Sequence, residues 1–189
     1  MFQLFIKSWA DAHANLPLRA RWYAKADVAP RSNEAEAQSA LHKEGFLLPE
    51  SAIPTALLQA YGATHYRVRD GRHDFTLQIG KYSQEMAELF QQKNSASAVF
   101  ITADNPFSEV TSDLNNAASN GVLLDRLKHL AVAVYAGAGQ DAEGKWPAEM
   151  SYLALGISRL QAATLGIQFR QNAVVWVDQD AIPELVLLR

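Results

Sequence analysis

Cysteine is absent from the 189-residue sequence, which excludes disulfides, thiolate zinc sites, iron–sulfur clusters and thiol nucleophiles. A long hydrophobic run is lacking too, because no apolar stretch approaches the roughly 20 residues that cross a bilayer. The N-terminal stretch Met1–Lys7 has neither the basic start nor the apolar length of a signal peptide. We therefore expect a soluble, cytoplasmic protein that does not associate with membranes.

An excess of charge of one sign is also lacking. The chain carries 17 basic and 20 acidic residues, with a net charge of -3, so its summed electrostatic field does not attract nucleic acid. Basic and aromatic residues occur together in two segments, 19–25 and 67–72, and such segments can bind single-stranded nucleic acid. Because no RNA- or DNA-binding motif accompanies them, we interpret both segments as solvent-exposed surface and expect no nucleic-acid partner.

The signature motifs of common enzymes and cofactor sites are missing as well. The five histidines show no metal-binding spacing, and no Gly-x-Ser-x-Gly sequence is present. The glycine-rich loop 137–147 lacks the Lys-Ser/Thr ending of a Walker loop, the third glycine of a dinucleotide fingerprint and the acidic spacing of a calcium loop. The sequence therefore predicts no metal site and assigns no cofactor.

The composition that is present is that of an ordinary globular protein. Hydrophobic residues make up 49% and charged residues 20% of the chain, which favours one main domain with its own core. Residues 1–52 are rich in alanine and in helix signals, such as a predicted helix over 34–44 that ends at Gly45. Further along, the hydrophobic period changes to the value of two that is typical of strands. We interpret 1–52 as a helical N-terminal extension and 53–189 as an α/β domain.

The predicted elements of the domain follow the order ββαβαββαββ after a short helix over 54–61. This order favours an α/β fold with a mixed β-sheet and helices packed on it, and an α+β fold is the alternative. The elements are predicted at 64–79 (a β-hairpin), 83–92, 98–101, 112–127, 130–135, 152–157, 158–169, 173–177 and 184–188.

Three of these predictions are specific enough to test. Asp70-Gly71 favours a type I′ turn in the hairpin. Strand 98–101 is apolar throughout, so we expect it to lie centrally and to be buried on both faces. The side chains predicted to face inward from the helix that begins after Ser112 are Leu114, Ala117, Leu124 and Leu127.

A polar loop follows the predicted central strand and takes about eight residues to reach the next helix, whereas roughly 2–6 are usual. Ligands of open α/β sheets bind beyond the carboxyl ends of the strands. Asn105 and Ser108 in this loop, and Asn116 one turn into the helix, are therefore candidate ligand-binding residues. The alternative is that Asn105-Pro106 forms an Asx turn and that Asn116 faces solvent.

Two further pairs of polar residues lie at the ends of predicted strands. Glu149 and Ser151 are two residues apart and share a face of a strand, where a carboxylate beside a hydroxyl can bind a polar ligand or relay a proton. Gln171 and Asn172 lie between a helix and an apolar strand. The alternatives are a strand-edge pair in water and an asparagine that ends a helix for conformational reasons. Glu149 is the only candidate for a general acid or base.

Several short motifs occur in a fixed order along the chain. They are Tyr61-x-x-Thr64-x-Tyr66, Ile101-Thr102-Ala103-x-Asn105-Pro106-Phe107-Ser108, Ser112-x-x-x-Asn116, Trp146-Pro147-x-Glu149-x-Ser151 and Phe169-x-Gln171-Asn172-Ala173. With these motifs in this order, the chain resembles, over residues 55–189, a bacterial family known as Domain of Unknown Function 3293. Asp104 and Asn115 depart from the family pattern, at positions where an aromatic and an acidic residue are expected. Since the family has no assigned activity, the resemblance implies candidate positions and no reaction.

The sequence thus favours a domain that binds or acts on a small polar molecule in a pocket of amide, hydroxyl and carboxylate groups. The predicted lining residues are Asn105, Ser108, Asn116, Glu149, Ser151, Gln171 and Asn172. The alternative is a protein-interaction or regulatory module, in which these residues only brace turns. In that case the extension 1–52, with apolar residues such as Phe2 and Trp9, docks a protein partner.

Overall fold

The computed structural model describes residues 52–141 and 147–189, so the predicted extension lies outside the described residues except for its last position. In the described part the helices are α1 (Thr55–Ala63), α2 (Gln84–Lys93), α3 (Asp113–Leu130) and α4 (Arg159–Gln168). The strands are β1 (His65–Asp70), β2 (His73–Leu77), β3 (Ala98–Thr102), β4 (Ala133–Gln140), β5 (Glu149–Leu155), β6 (Ala173–Val177) and β7 (Pro183–Leu187). The predicted order ββαβαββαββ is confirmed. Within these residues no helix has the length and apolar character needed to cross a membrane.

The strands form one seven-stranded sheet in the order β2-β1-β4-β5-β3-β6-β7. The predicted α/β class, with helices packed on a β-sheet, is confirmed. The sheet itself is not mixed as predicted, because each neighbouring pair of strands is antiparallel. The absence of parallel pairs from this sheet follows from its three helical crossovers, each of which joins parallel strands that are not neighbours. Helix α2 links β2 to β3, with three strands between them, whereas α3 links β3 to β4 and α4 links β5 to β6, in each case with one strand between the two.

Strand β3 is an interior strand whose residues 98–101 are buried on both faces, as predicted. Phe100 packs in a cluster with Met86 of α2, whereas Ile101 packs in a second cluster with Leu127 of α3. Successive side chains of a strand point to opposite faces, so apolar side chains cover both sides of the sheet. Each fully buried side chain of this size contributes about 1.5–3 kcal/mol, which makes these two clusters the main source of stability.

The hairpin between β1 and β2 is confirmed, but its predicted turn type is wrong. Asp70 pairs with His73, so the two-residue loop is Gly71-Arg72. A type I′ turn needs positive φ at both central residues. Gly71 has a φ of 57°, whereas Arg72 is not among the residues with positive φ. Glycine alone in the first central position fits a type II′ turn, which an arginine in the second position can adopt without strain.

Helix α3 begins after the predicted cap Ser112 but turns a different side inward than its leucines suggest. Leu114 is 83% exposed and Ala117 is exposed, so the prediction that these two face the core is wrong. Leu124 and Leu127 do pack in the core. The inward stripe recurs at helical spacing and consists of Asn116, Asn120, Leu123 and Leu127. Its first two members are polar because this end of α3 contacts a polar loop rather than the apolar face of the sheet.

Several strand ends and connections meet at the end of the sheet where that loop lies. The register pairs His65 with Gln140, Gly139 with Glu149 and Thr102 with Ser151. Strand β3 therefore ends where β5 begins, and β6 begins there as well because it runs antiparallel to β3. We call the group formed by Tyr61, Asn116 and residues 102–112, 149–151 and 169–172 the polar end. The antiparallel register brings these separate stretches of sequence together.

The close packing between β4 and its neighbours gives a test of the sheet order. A Cβ atom at Gly137 would lie 2.6 Å from the carbonyl oxygen of Arg67 and 2.8 Å from Cε2 of Phe100. We expect Gly137→Ala to lower the free energy of unfolding by about 1–3 kcal/mol, since backbone and a core ring must both move. The control is Gly62→Ala in α1, where no atom lies within 4 Å of the added Cβ and alanine favours the helix. Urea unfolding of the two variants measures the difference, and equal stabilities would contradict this packing.

Candidate functional site

The loop after β3 has a strained backbone. Asn105, Phe107 and Ser108 have φ values of 45°, 57° and 62°, in the left-handed region that residues other than glycine rarely occupy. Asparagine tolerates this region, but each of the other two residues costs about 1–2 kcal/mol. Phe107 and Ser108 belong to a short 3-10 turn, Pro106–Ser108. Such strain persists only where the surrounding contacts fix the backbone.

Asn116 of α3 provides the first of these contacts. The backbone N–H of Asn105 donates to Oδ1 of Asn116 over 3.0 Å, and Nδ2 of Asn116 donates back to Oδ1 of Asn105 over 3.1 Å. Thr111 donates to the same two oxygens, from its N–H over 3.1 Å and from its hydroxyl over 2.6 Å. Asn116 therefore braces the loop and does not simply face solvent.

Glu149, the first residue of β5, is held by the same loop. Nδ2 of Asn105 donates to Oε1 of Glu149 over 2.8 Å. The carboxyl is half-buried, and burial raises its pKa above the ordinary value, an effect that the Asn105 hydrogen bond opposes and the nearby Asp104 charge reinforces. The other oxygen, Oε2, accepts no hydrogen bond from the described residues. One oxygen is thus fixed in place while the other is available to a ligand.

Asp104 and Asn120 form a second, more deeply buried pair, which is not among the seven predicted site residues. Nδ2 of Asn120 donates to Oδ1 of Asp104 over 2.6 Å, and Oδ1 of Asn120 accepts from the backbone N–H of Ala103 over 3.0 Å. The N–H of Met150 donates to the other Asp104 oxygen over 3.0 Å. Burial raises the pKa of Asp104, and its two hydrogen bonds oppose that shift. The available sequence signal was the position of Asn120 four residues after Asn116, on the same face of α3.

Ser108 belongs to a cluster of two hydroxyls and an amide. The Ser108 and Tyr61 hydroxyls are hydrogen-bonded over 2.9 Å. Nδ2 of the buried Asn172 donates to both, over 3.0 Å to Ser108 and 3.1 Å to Tyr61. The Tyr66 hydroxyl donates to the carbonyl oxygen of Tyr61 over 2.8 Å. Ser108 itself is exposed, so its hydroxyl is held in position and remains accessible.

The last two predicted residues bind backbone. Nε2 of Gln171 donates to the carbonyl oxygens of Asp104, over 3.0 Å, and Phe169, over 3.3 Å. The hydroxyl of the buried Ser151 donates to the carbonyl oxygen of Glu149 over 3.0 Å. Gln171 therefore fixes the backbone just before the strained loop, and Ser151 fixes the backbone at the start of β5.

All seven predicted site residues lie at the polar end, although they differ in what they offer. Ser108 presents an accessible hydroxyl, Glu149 presents a free carboxylate oxygen, and Asn105 orients that carboxylate. The residues that mainly hold others in place are Asn116, Ser151, Gln171 and Asn172. A role for any of the seven in ligand binding stays a prediction, as does the pocket. In residues 52–141 and 147–189, no three His, Cys, Asp or Glu side chains are grouped so as to hold a metal ion.

Comparison with known proteins identifies one family. Residues 101–174 match the model of a family described as "Protein of unknown function (DUF3293)". The predicted resemblance is confirmed for this segment, which runs from β3 to the start of β6 and includes Asn105, Glu149 and Asn172. The matched segment is shorter than the predicted 55–189. No curated protein and no solved structure matches the chain.

The Asp104–Asn120 pair gives a test of the supporting network. We expect Asn120→Ala to lower the free energy of unfolding by about 2–4 kcal/mol, because a buried carboxylate oxygen and a buried backbone N–H lose their partners. The control is Asn115→Ala in the same helix, whose side chain takes part in no hydrogen bond within the described residues. It should change stability by less than about 0.5 kcal/mol. Urea denaturation followed by circular dichroism compares the two, and a small effect of Asn120→Ala would show that the pair is not needed.

The raised pKa of Glu149 predicts a pH dependence of stability. A folded-state pKa above the unfolded value means that the folded protein binds the proton more tightly, so stability falls as pH rises from about 4.5 through the raised pKa. Glu149→Gln keeps an acceptor for Asn105 and cannot ionise, so we expect the wild type to lose stability relative to this variant as pH rises. Denaturant unfolding at a series of pH values measures the difference. If the difference in free energy of unfolding between the two proteins does not change with pH, or changes in the opposite direction, the raised pKa of Glu149 is contradicted.

Proposed function

We propose that the polar end binds a small polar molecule and that Glu149 exchanges a proton with it or accepts a hydrogen bond from it. The observation that carries this proposal is the state of the Glu149 carboxyl, which has one oxygen fixed by Asn105 over 2.8 Å. Its other oxygen accepts no hydrogen bond from the described residues. A half-buried carboxylate with an unused oxygen is a natural partner for a hydroxyl, amine or amide hydrogen of a ligand.

The raised pKa of Glu149 supports a role in proton transfer. A general acid or base works best when its pKa lies near the operating pH, and burial moves the pKa of this carboxyl in that direction. Perturbed carboxyls in a cluster of polar groups are candidates for functional sites on these grounds. The polar end can therefore serve binding alone or acid–base catalysis on the bound molecule.

The hydroxyl cluster supports the choice of a polar ligand. The N–H of Ser108 donates to the carbonyl oxygen of Asn105 over 2.8 Å, so the Ser108 hydroxyl and the Glu149 carboxyl are held by the same short loop. The Tyr61 and Ser108 hydroxyls can each donate to or accept from a ligand. Together these groups can both donate and accept hydrogen bonds, which suits a molecule rich in hydroxyl, carbonyl or amino groups.

The cost of the loop conformation also favours a functional interpretation. Phe107 and Ser108 both hold left-handed backbone angles, and a network of asparagines with Thr111 fixes the segment. Backbone strain of this kind is concentrated at binding and catalytic sites. The alternative function, a protein-interaction module that uses the extension 1–52, stays a prediction, because its residues lie outside the described ones. The predicted cytoplasmic location also stays a prediction.

A thermal-shift screen of the full chain tests the proposal. A ligand that binds only the folded state raises the melting temperature, by about 5 °C or more at a concentration of 100 Kd. The panel contains nucleotides, sugars, amino acids, common cofactors and divalent ions. We expect one class to stabilise the wild type and its effect to be lost in Glu149→Ala and Asn105→Ala.

Asn115→Ala is the matched control, because this exposed asparagine lies in the same helix as Asn116 and its side chain takes part in no hydrogen bond within the described residues. It should respond to the ligand as the wild type does. A ligand whose effect survives both substitutions at the polar end binds elsewhere. Such a result, or no response across the panel, would contradict the proposed site.

A further inference from the structure

The hydroxyl cluster is a nearly equilateral triangle of three polar atoms. Oγ of Ser108 and Oη of Tyr61 lie 2.9 Å apart, and Nδ2 of Asn172 lies 3.0 Å from the first and 3.1 Å from the second. Each side of the triangle has the length of a hydrogen bond and so needs one proton. The two hydroxyls supply only two, so an amide oxygen at the third corner would leave one contact without a proton. The Asn172 amide must therefore face the hydroxyls with its N–H groups.

One hydroxyl hydrogen of the cluster has no acceptor within it. An amide nitrogen does not accept hydrogen bonds, so both hydroxyl oxygens accept from Asn172 and only one hydroxyl proton is used between them. A phenol donates more strongly and accepts more weakly than an aliphatic hydroxyl, which favours donation from Tyr61 to Ser108. Oγ of Ser108 then accepts two hydrogen bonds, one for each of its lone pairs. What remains to Ser108 is its own O–H, which can only donate.

The Ser108 hydroxyl is also the member of the cluster that a ligand can reach. Ser108 is exposed, whereas Tyr61 is half-buried and Asn172 is only 5% exposed. Within the described residues the Ser108 hydroxyl makes no hydrogen bond besides the two of the cluster. Hydrogen bonds that an oxygen accepts polarise its own O–H and strengthen it as a donor. The cluster therefore presents a strong donor without an acceptor at the surface of the polar end.

The Tyr61-x-x-Thr64-x-Tyr66 motif holds the tyrosine of the cluster in place. Tyr61 lies in the last turn of α1, where carbonyl groups lack partners within the helix. Oγ1 of Thr64 donates to the carbonyl oxygen of Ala60, and the Tyr66 hydroxyl donates to that of Tyr61, each over 2.8 Å. Tyr61 is thereby fixed to the segment that follows α1, and its hydroxyl keeps its place against Ser108 without a ligand.

We propose that Ser108 is a donor-only contact of the polar end and takes an acceptor oxygen that carries no hydrogen, such as that of a carbonyl or carboxylate group of the ligand. Tyr61 and Asn172 are positioning residues that fill both lone pairs of the Ser108 oxygen and so impose this polarity. This inference rests on the proposed function and narrows its ligand class. The bound molecule presents an acceptor oxygen to Ser108 and a hydrogen to Glu149, and an ammonium group finds no lone pair at Ser108.

Nuclear magnetic resonance of the full chain with small probe molecules tests the donor by itself. Acetone and acetate carry acceptor oxygens and no donor hydrogen, whereas methylammonium carries donor hydrogens and no acceptor. We expect acetone and acetate to shift the backbone amide resonance of Ser108 in the wild type and methylammonium to leave it unchanged. The shifts should be lost in Ser108→Ala, in which the amide of residue 108 is still observed.

Tyr61→Phe tests the polarity of the contact. The variant keeps the ring but removes the proton that Tyr61 donates, which frees one lone pair of the Ser108 oxygen. We expect methylammonium to shift the residue 108 resonance in this variant, a change that a merely structural role of Tyr61 would not produce. Tyr82→Phe is the matched control and should respond as the wild type does. Tyr82 is 61% exposed, and the N–H of the next residue binds the carbonyl oxygen of Ala181, in the turn at the other end of β6.

Several outcomes would overturn the proposal. They are a shift of residue 108 by methylammonium in the wild type, no shift by acetone or acetate, and equal shifts by these two probes in the wild type and in Ser108→Ala. No response of Tyr61→Phe to methylammonium would overturn the role of the tyrosine. Glu149→Gln distinguishes the two proposals, because it should leave the response of Ser108 intact. A Ser108 response without any ligand that depends on Glu149 would leave the donor contact standing and remove the proposed function.

Discussion

The short hydrogen bond between Asp104 and Asn120, 2.6 Å long, joins the three elements on which the polar end depends. Asp104 follows β3, Asn120 belongs to α3, and the second Asp104 oxygen binds the N–H of Met150 in β5. Charge-assisted hydrogen bonds are stronger than neutral ones, and a buried carboxylate without them is strongly destabilising. This constraint sets where the loop leaves the sheet, and therefore where the neighbouring Asn105 begins its left-handed turn.

The loop beyond Asp104 shows how a folded protein holds a backbone that its sequence alone would not adopt. Two consecutive residues, Phe107 and Ser108, have left-handed angles without being glycine. The conformational free energy that these angles require is offset by hydrogen bonds from α3, from the residues before β6 and from Tyr61 of α1. Because these partners come from packed elements, the loop is held in one conformation, which is the condition for placing a hydroxyl and a carboxyl accurately.

The sheet order explains why residues so distant in sequence meet. The crossovers through α3 and α4 each pass over one strand, so β5 lies between β3 and β4, and β3 lies between β5 and β6. The antiparallel register then places the start of β5 and the start of β6 beside the end of β3. Glu149 and Asn172 reach the same loop for this reason. Arg170, before β6, and Arg189, after β7, both contact the Phe107 ring for the same reason.

The sequence by itself determined the class of fold, the element order and most boundaries, because periodicity and helix caps are local signals. Ser112, for example, is both the predicted and the observed cap of α3. It also selected all seven residues that meet at the polar end, through the chemistry of loops after strands and through a family resemblance. Only the tertiary structure decided the antiparallel sheet order, the inward face of α3 and the partnership of Asp104 with Asn120. These depend on which surface lies opposite each residue, and Leu114 is exposed because the start of its helix contacts a polar loop.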